Sequence, residues 1–214
     1  MTVSMDIASA AAVMSGRILG DNVTFTGVST DSRALVAGEL FVALRGDVFD
    51  GHDFVASVRD LGAVAAVVDA EAVENLQNVD LPLIVVADTR LALGALAAGW
   101  RARFNLPVIA VTGSNGKTTS KEMIASILKA AFGDAVLATQ GNFNNDIGMP
   151  LTLLKLNSGH RAAIIEMGMN HPGEIGYLTR IAQPTVALVT NAQRAHLAGM
   201  GTIESIAAEK GSVF

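Results

Sequence analysis

A lysine followed by two threonines, placed just after a glycine turn, can hold a phosphate chain. Residues Val108 to Ile127 (VIAVTGSNGKTTSKEMIASI) carry that set. The run Val108, Ile109, Val111 is apolar and β-branched. It ends in Thr112-Gly113-Ser114-Asn115-Gly116-Lys117-Thr118-Thr119, after which Met123, Ile124, Ile127 and Leu128 recur at helix spacing. Strand, glycine turn, Lys-Thr and helix together make a nucleotide phosphate cradle. The glycines let backbone N–H groups converge on an anion, and the helix start adds partial positive charge. In such a cradle Lys117 reaches the terminal phosphates and the Thr118 hydroxyl sits on Mg²⁺. The full G-x-x-x-x-G-K-[ST] pattern wants a glycine where Val111 stands. The alternative is an ordinary strand-to-helix turn; the flanking strand and helix favour the cradle.

The elements that would position this loop follow a strict strand–helix alternation from Pro107 onward. Strands are expected at 108–111, 135–138, 162–166 and 186–190. Helices are expected at 118–132, about 147–154, 173–181 and 203–214. Continuous apolar strands between helices argue a parallel sheet covered on both faces, with ligands at the carboxyl ends of its strands. The first strand ends in the phosphate loop, the third (AAIIEMGMN) reaches Glu166, and the fourth (VALVTNAQRAHL) runs out to His196. Glu166 and His196 would then hang over the same edge as Lys117 and Thr118. Mg²⁺ takes hard oxygen ligands, which Glu166 supplies; His196 is a less usual ligand beside it. The plainer readings are a structural ion pair for Glu166 and a loop cap for His196.

The last helix carries an apolar stripe of Ile203, Ile206, Ala207 and Phe214, and Lys210 falls on it. An inward lysine is either a snorkelling stem or a desolvated amine of lowered pKa. A neutral amine can add CO₂, and the carbamate would be one more oxygen ligand for Mg²⁺.

The first half alternates shorter elements. The segment from Met1 to Gly16 reads as an amphipathic helix containing Asp6. Strands are expected at 22–29, 39–44, 63–68 and 83–86, and a helix at 53–61. A long helix over 89–104, capped by Asp88 or Thr89, would connect the halves. The expected domains are 1–88 and 89–214, and the expected fold class is α/β. The chain has 214 residues, formal charge −5 and no cysteine, with a pI near 5.3. That balance argues against a nucleic-acid surface, and the absence of thiols excludes disulfides and Cys-ligated zinc. No run approaches a membrane span, and the N-terminus lacks a basic signal-peptide region, so a soluble cytoplasmic protein is expected.

These residues together resemble the Mur ligase superfamily and, within it, the MurF type. TGSNGKTT is similar to the family's ATP loop, which also lacks the first glycine, so Gly113, Ser114, Asn115, Gly116, Lys117, Thr118 and Thr119 are implied to bind ATP phosphates. Glu166 in IIEMG and His196 in AHL match the two Mg²⁺ ligand positions. Lys210 in AAEKG matches the lysine that is carbamylated in these ligases. STDSRALVAGELFVALRGDVFDGHDF, from Ser29 to Phe54, is similar to the uridine-nucleotide segment of the MurE and MurF types. It implies substrate contacts from Ser29, Thr30, Asp31, Ser32, Arg33, Asp50 and His52. GNFNNDIGMPLTLL and EMGMNHPGEI look like the MurF type, with Asn142, Asn144 and Asn145 suited to the sugar and peptide arms. The MurE type would show a Thr-Thr-Pro segment after the second strand, which is absent. A surface-charge role for Arg33 and a plain polar loop at the asparagines are the bland alternatives.

The resemblance implies ATP- and Mg²⁺-dependent amide formation in bacterial peptidoglycan precursor synthesis, joining D-alanyl-D-alanine to UDP-N-acetylmuramoyl-tripeptide. Family members are about twice as long. The chain is therefore expected to be an amino-terminal fragment, inactive alone and prone to self-association. Rival readings are a non-catalytic UDP-sugar-peptide binder, a MurE-type ligase, and a generic P-loop NTPase, the last disfavoured because no Walker-B aspartate closes a strand.

Overall fold

The computed structural model describes residues 3–193 and 201–214. The chain divides into two compact units, Met1–Gly99 and Trp100–Phe214. Both are mixed α/β with parallel sheets.

The first unit contains β1 (Met5–Asp6), α1 (Ile7–Met14), β2 (Arg17–Leu19), β3 (Thr24–Phe25), β4 (Val28–Ser29), β5 (Leu40–Val42), α2 (Val55–Asp60), β6 (Ala65–Asp69), β7 (Leu83–Val86) and most of α3 (Thr89–Arg101). Its main sheet runs β2-β7-β6-β5-β4. All its pairs are parallel except β2 with β7. The sheet forms because β5, β6 and β7 are buried along their whole length. Phe41, Ala66, Val68, Leu83 and Val85 pack against Val55 and Val58 of α2 in one apolar cluster. Asp88 Oδ1 accepts the N–H groups of Arg90 and Leu91 at 2.8 and 2.9 Å and so caps α3.

Two sequence expectations change here. The N-terminal helix is only eight residues long, because Asp6 is its cap, accepting Ser9 N–H at 2.9 Å, and Ser15 ends it in the left-handed region at φ 54°. The single strand expected at 22–29 is two. β3 pairs with β1 in a separate antiparallel ribbon and β4 with β5, since the N–H of Thr26 is drawn off to Gly38 O between them.

The second unit contains β8 (Val108–Thr112), α4 (Lys117–Phe132), β9 (Val136–Ala138), α5 (Gly148–Leu153), β10 (Ala162–Glu166), α6 (Glu174–Ala182), β11 (Val186–Val189) and α7 (Ile203–Gly211). Its sheet order is β11-β8-β10-β9, parallel throughout. β10 is wholly buried, whereas the edge strand β11 leaves Val186 and Leu188 exposed. Arg101, itself buried, donates to Ala182 O, Gln183 O and Phe104 O and ties the end of α3 to the turn after α6.

Helix faces differ from the apolar spacing in the sequence. On α4, Ile124 and Leu128 pack with Ala125 on Val111 and Ile164, while Met123 and Ile127 stand 63% and 68% exposed. Lys121 lies on the inward face, four residues before Ala125, and is 1% exposed. On α7 the buried positions are Ile206 and Lys210, continued by Val213, and the expected stripe members Ile203, Ala207 and Phe214 are exposed. Among the described residues no helix is long and apolar enough to cross a membrane.

Candidate functional site

The loop from β8 to α4 is shaped by two glycines. At Gly113 φ is +149°, and an added Cβ would lie 1.8 Å from Thr190 Oγ1, 3.1 Å from Thr190 Cβ and 3.2 Å from the Thr190 backbone nitrogen. Gly116 is left-handed at φ 76° and is the N-cap of α4, with open space around it. Gly113→Ala is expected to destabilise the second unit by about 2–4 kcal/mol, combining overpacking and strain. Gly116→Ala meets no clash and carries only the left-handed penalty of about 1–2 kcal/mol. Urea unfolding followed by the fluorescence of Trp100, the only tryptophan, measures both. Equal costs for the two variants would show that the Thr190 contact does not matter.

The loop is braced by the segment after β11. Ser114 N–H donates to Asn191 O, Asn115 N–H to Asn191 Oδ1, and Thr190 Oγ1 to Asn115 O at 2.7 Å. Ser114 Oγ and Asn115 Nδ2 both reach Gln193. The first-turn N–H groups of Lys117, Thr118 and Thr119 have no intrahelical partner, as at any helix start, and face outward with the positive end of the helix dipole. Lys117 Nζ folds back to Gly113 O at 2.8 Å and stands over this mouth.

Glu166 ends β10 beside the loop and is 2% exposed. Its Oε2 accepts the Thr118 hydroxyl at 3.0 Å and its Oε1 accepts Asn144 Nδ2 at 2.7 Å. No structural ion pair consumes this carboxylate among the described residues. The structure therefore brings Lys117, Thr118 and Glu166 to one sheet edge. Among the described residues no three His, Asp or Glu side chains are grouped so as to hold a metal ion. His196, the other expected ligand, lies outside the described residues.

Lys210 is buried on α7 at 2% exposure. Desolvation, and then the charge of Lys117, push its amine down to about 8, with Glu209 opposing. Glu209 itself docks the helix: its carboxylate accepts Gly173 N–H at 2.7 Å and Ile175 N–H at 2.8 Å at the start of α6.

The asparagines expected to meet substrate are partly occupied within the fold. Asn144 holds Glu166. Asn145 Oδ1 accepts Gly148 N–H at 2.8 Å at the start of α5. Asn142 is exposed.

In the first unit, Thr30, Asp31, Ser32 and Arg33 line a cleft of about 340 Å³ with Phe41, Leu44, Phe49, Gly51 and Phe54. Ser29 lies behind it, its hydroxyl on Asp31 O. Arg33 grips Asp31 through Nε and Nη2 at 2.9 and 2.8 Å, which holds the Asp31 carboxyl at about 2. The Arg33 side chain is 88% exposed, so it can turn to an anion. His52 is different. It is buried, Nδ1 meets Asp50 Oδ1 at 2.5 Å, and Nε2 accepts Asp69 N–H at 3.1 Å. With both nitrogens engaged and Asp50 on its flank, His52 braces the cleft wall from behind. Burial raises the Asp69 carboxyl, but two Arg45 bonds and the Ala72 N–H outweigh it and leave it below the usual range.

Three parts of this arrangement have no obvious signal in the sequence. Thr190 and Gln193 brace the loop from 75 residues away or more, and Glu209 caps a helix 34 residues upstream. Thr139, after β9, accepts Glu166 N–H at 3.0 Å. It is an ordinary strand-end threonine, and only its position at a carboxyl end marks it.

Comparisons agree with this geometry. The description "Mur ligase middle domain" matches residues 111–214, and "Mur ligase family, catalytic domain" matches residues 24–101. A Haemophilus influenzae protein named UDP-N-acetylmuramoyl-tripeptide–D-alanyl-D-alanine ligase is 44% identical over 99% of this chain and 46% of its own length. A crystal structure of MurF from Acinetobacter baumannii superposes with TM-score 0.89 at 38% identity, over 99% of this chain and 46% of that one. A MurF ligase from Thermotoga maritima in complex with ADP gives TM-score 0.78 at 35% identity, over 87% of this chain and 42% of that one. The chain thus spans about half the length of the relatives it matches. Two adjoining domain matches of one family, relatives above 40% identity along nearly the whole chain, and a glycine turn at a helix start set beside a buried carboxylate agree: the chain belongs to the Mur ligase family.

Proposed function

We propose that this chain carries the ATP-phosphate site and the UDP-substrate site of a MurF-type ligase, which joins D-alanyl-D-alanine to UDP-N-acetylmuramoyl-tripeptide. The observation that carries the reading is the placement of Lys117, Thr118 and Glu166 around one helix start. Glu166 and Thr118 fit Mg²⁺: their oxygens stand 3.0 Å apart. Adjacent corners of its octahedron are about 2.9 Å apart at a 2.0–2.1 Å radius. His196 and a carbamylated Lys210 would complete the ligand set. Bound there, the cation would neutralise charge on the transferring phosphoryl group.

The chain's own groups do the rest. Helix-start N–H groups and Lys117 hold the β- and γ-phosphates. The terminal carboxylate of the muramoyl peptide attacks the γ-phosphorus, ADP leaves, and an acyl phosphate forms. The amine of D-alanyl-D-alanine then adds to the acyl carbon, and phosphate departs from the tetrahedral intermediate as the amide forms and the amine proton is lost. Lys117 stabilises negative charge on the moving phosphoryl oxygens. In the first unit, the cleft beside Thr30–Arg33 takes the uridine diphosphate, with Arg33 and Ser32 available to its phosphates and Phe49 and Phe54 to its base.

Chemical-shift mapping tests both sites. UDP-N-acetylmuramoyl-tripeptide is expected to perturb residues 29–54, and ATP with Mg²⁺ residues 113–119 and 166. Binding of the UDP compound with no response to ATP would instead identify a binding module without ligase chemistry.

A further inference from the structure

Lys121 is a buried cation that the reaction above does not use. It sits one turn beyond Lys117 on α4, 1% exposed, on the face packed against the sheet. Its Nζ donates to Thr139 O at 2.9 Å and to Glu122 Oε1 at 2.6 Å. Thr139 is 2% exposed and directly follows β9. Its N–H donates to Ile164 O, and its hydroxyl oxygen accepts Glu166 N–H, each at 3.0 Å. Glu166 in turn accepts the Thr118 hydroxyl, three residues before Lys121 on the same helix.

The contacts therefore close a ring: Thr118, Glu166, Thr139, Lys121, and back along α4. A methionine would fill the Lys121 site without desolvating a charge, so packing alone does not ask for an amine there. What the amine adds is a fixed anchor for the Thr139 carbonyl. What the Thr139 hydroxyl adds is one more rung beyond the end of β9, applied to the backbone of Glu166 itself. A carboxylate held at its backbone and at both oxygens has one orientation, and supporting bonds of this kind set the geometry of a ligand pair.

We propose that Lys121 and Thr139 are positioning residues that fix the spacing between Thr118 Oγ1 and Glu166 Oε2. This rests on the reading of those two oxygens as Mg²⁺ ligands.

The test is calorimetric titration of ATP into the 214-residue chain, with Mg²⁺ or with EDTA. The quantity read is the gain in affinity that Mg²⁺ confers. Thr139→Val is expected to cut that gain about fivefold, the worth of one neutral hydrogen bond, with the EDTA affinity within about twofold of wild type. Thr139→Ser keeps the hydroxyl and should restore the gain. Lys121→Met should lower it in the same direction with Thr139 intact. In the metal-free chain, Thr139→Val should also speed hydrogen exchange at the Glu166 amide by about fivefold, because that N–H loses its acceptor. If Thr139→Val weakens both titrations equally, or lowers only the melting temperature, the positioning role is wrong and the ring is structural. A wild-type chain that binds ATP with no gain from Mg²⁺ would overturn the ligand reading and the positioning role together.

Discussion

Lys117→Ala should weaken ATP binding by about 10- to 100-fold and leave folding intact. The loss follows from removing one charge-assisted contact to phosphate, about 1.5–3 kcal/mol. Folding is spared because the amine, which is half-exposed, makes one bond among the described residues, to Gly113 O. The loop keeps its shape through Thr190, Asn191 and Gln193, whose bonds go to Ser114 and Asn115. Binding of UDP-N-acetylmuramoyl-tripeptide should be unchanged, since its proposed cleft lies among residues 30–54. Titration of each ligand into both proteins measures this. An alanine variant that binds ATP within twofold of wild type would remove Lys117 from the phosphate site. Lys117 also lowers the Lys210 pKa, so the alanine variant should return the Lys210 amine part of the way toward its ordinary value.

Much of the second unit is legible in the sequence because its signals are local. The short β-branched apolar run Ala162–Glu166 reads as a buried strand and forms one, and Gly116-Lys117 opens a helix where the glycine turn places it. The parallel order follows from strand–helix alternation. Faces were harder to read than elements. Met123 and Ile127 are as apolar as Ile124 and Leu128, but the helix turns the second pair to the sheet because Ala125 and the Lys121 stem share that side. His52 and Asn145 illustrate the reverse. Their residue types suit ligands, yet His52 Nε2 meets the Asp69 N–H and Asn145 Oδ1 meets the start of α5. Whether a polar side chain faces a ligand or its own backbone depends on loop geometry, which residue type does not encode. The short, half-exposed β2 is legible to neither criterion, since it is held by antiparallel pairing with β7 rather than by its own apolar pattern.

Lys210 should make the chain more stable as pH rises from about 8 to 10.5. In the folded chain, desolvation and the Lys117 charge set its pKa at about 8 against an ordinary 10.5. Below pH 8 the amine is protonated in both states, and the fold bears the full cost of a buried charge. Between the two values the folded chain has released a proton that the unfolded chain still holds, so the free energy of unfolding climbs. Above 10.5 both states are neutral and the climb ends. The whole rise is worth about 3 kcal/mol for a shift of this size at a buried site. Lys210→Met removes the cost at every pH. The variant should be more stable than wild type by about 2–3 kcal/mol at pH 7, and the difference should vanish near pH 10.5. Urea unfolding of both proteins from pH 7 to 10.5 gives the difference directly, with the other lysines cancelling between them. Parallel stability curves would mean that the amine is not desolvated. The same shift bears on carbamate formation, which needs the neutral amine: roughly a tenth of it is neutral at pH 7 with a pKa near 8, against roughly one part in three thousand at the ordinary value. A lysine that costs stability as a buried charge thus offers more neutral amine to CO₂ at pH 7 than an ordinary one, and the methionine variant offers none.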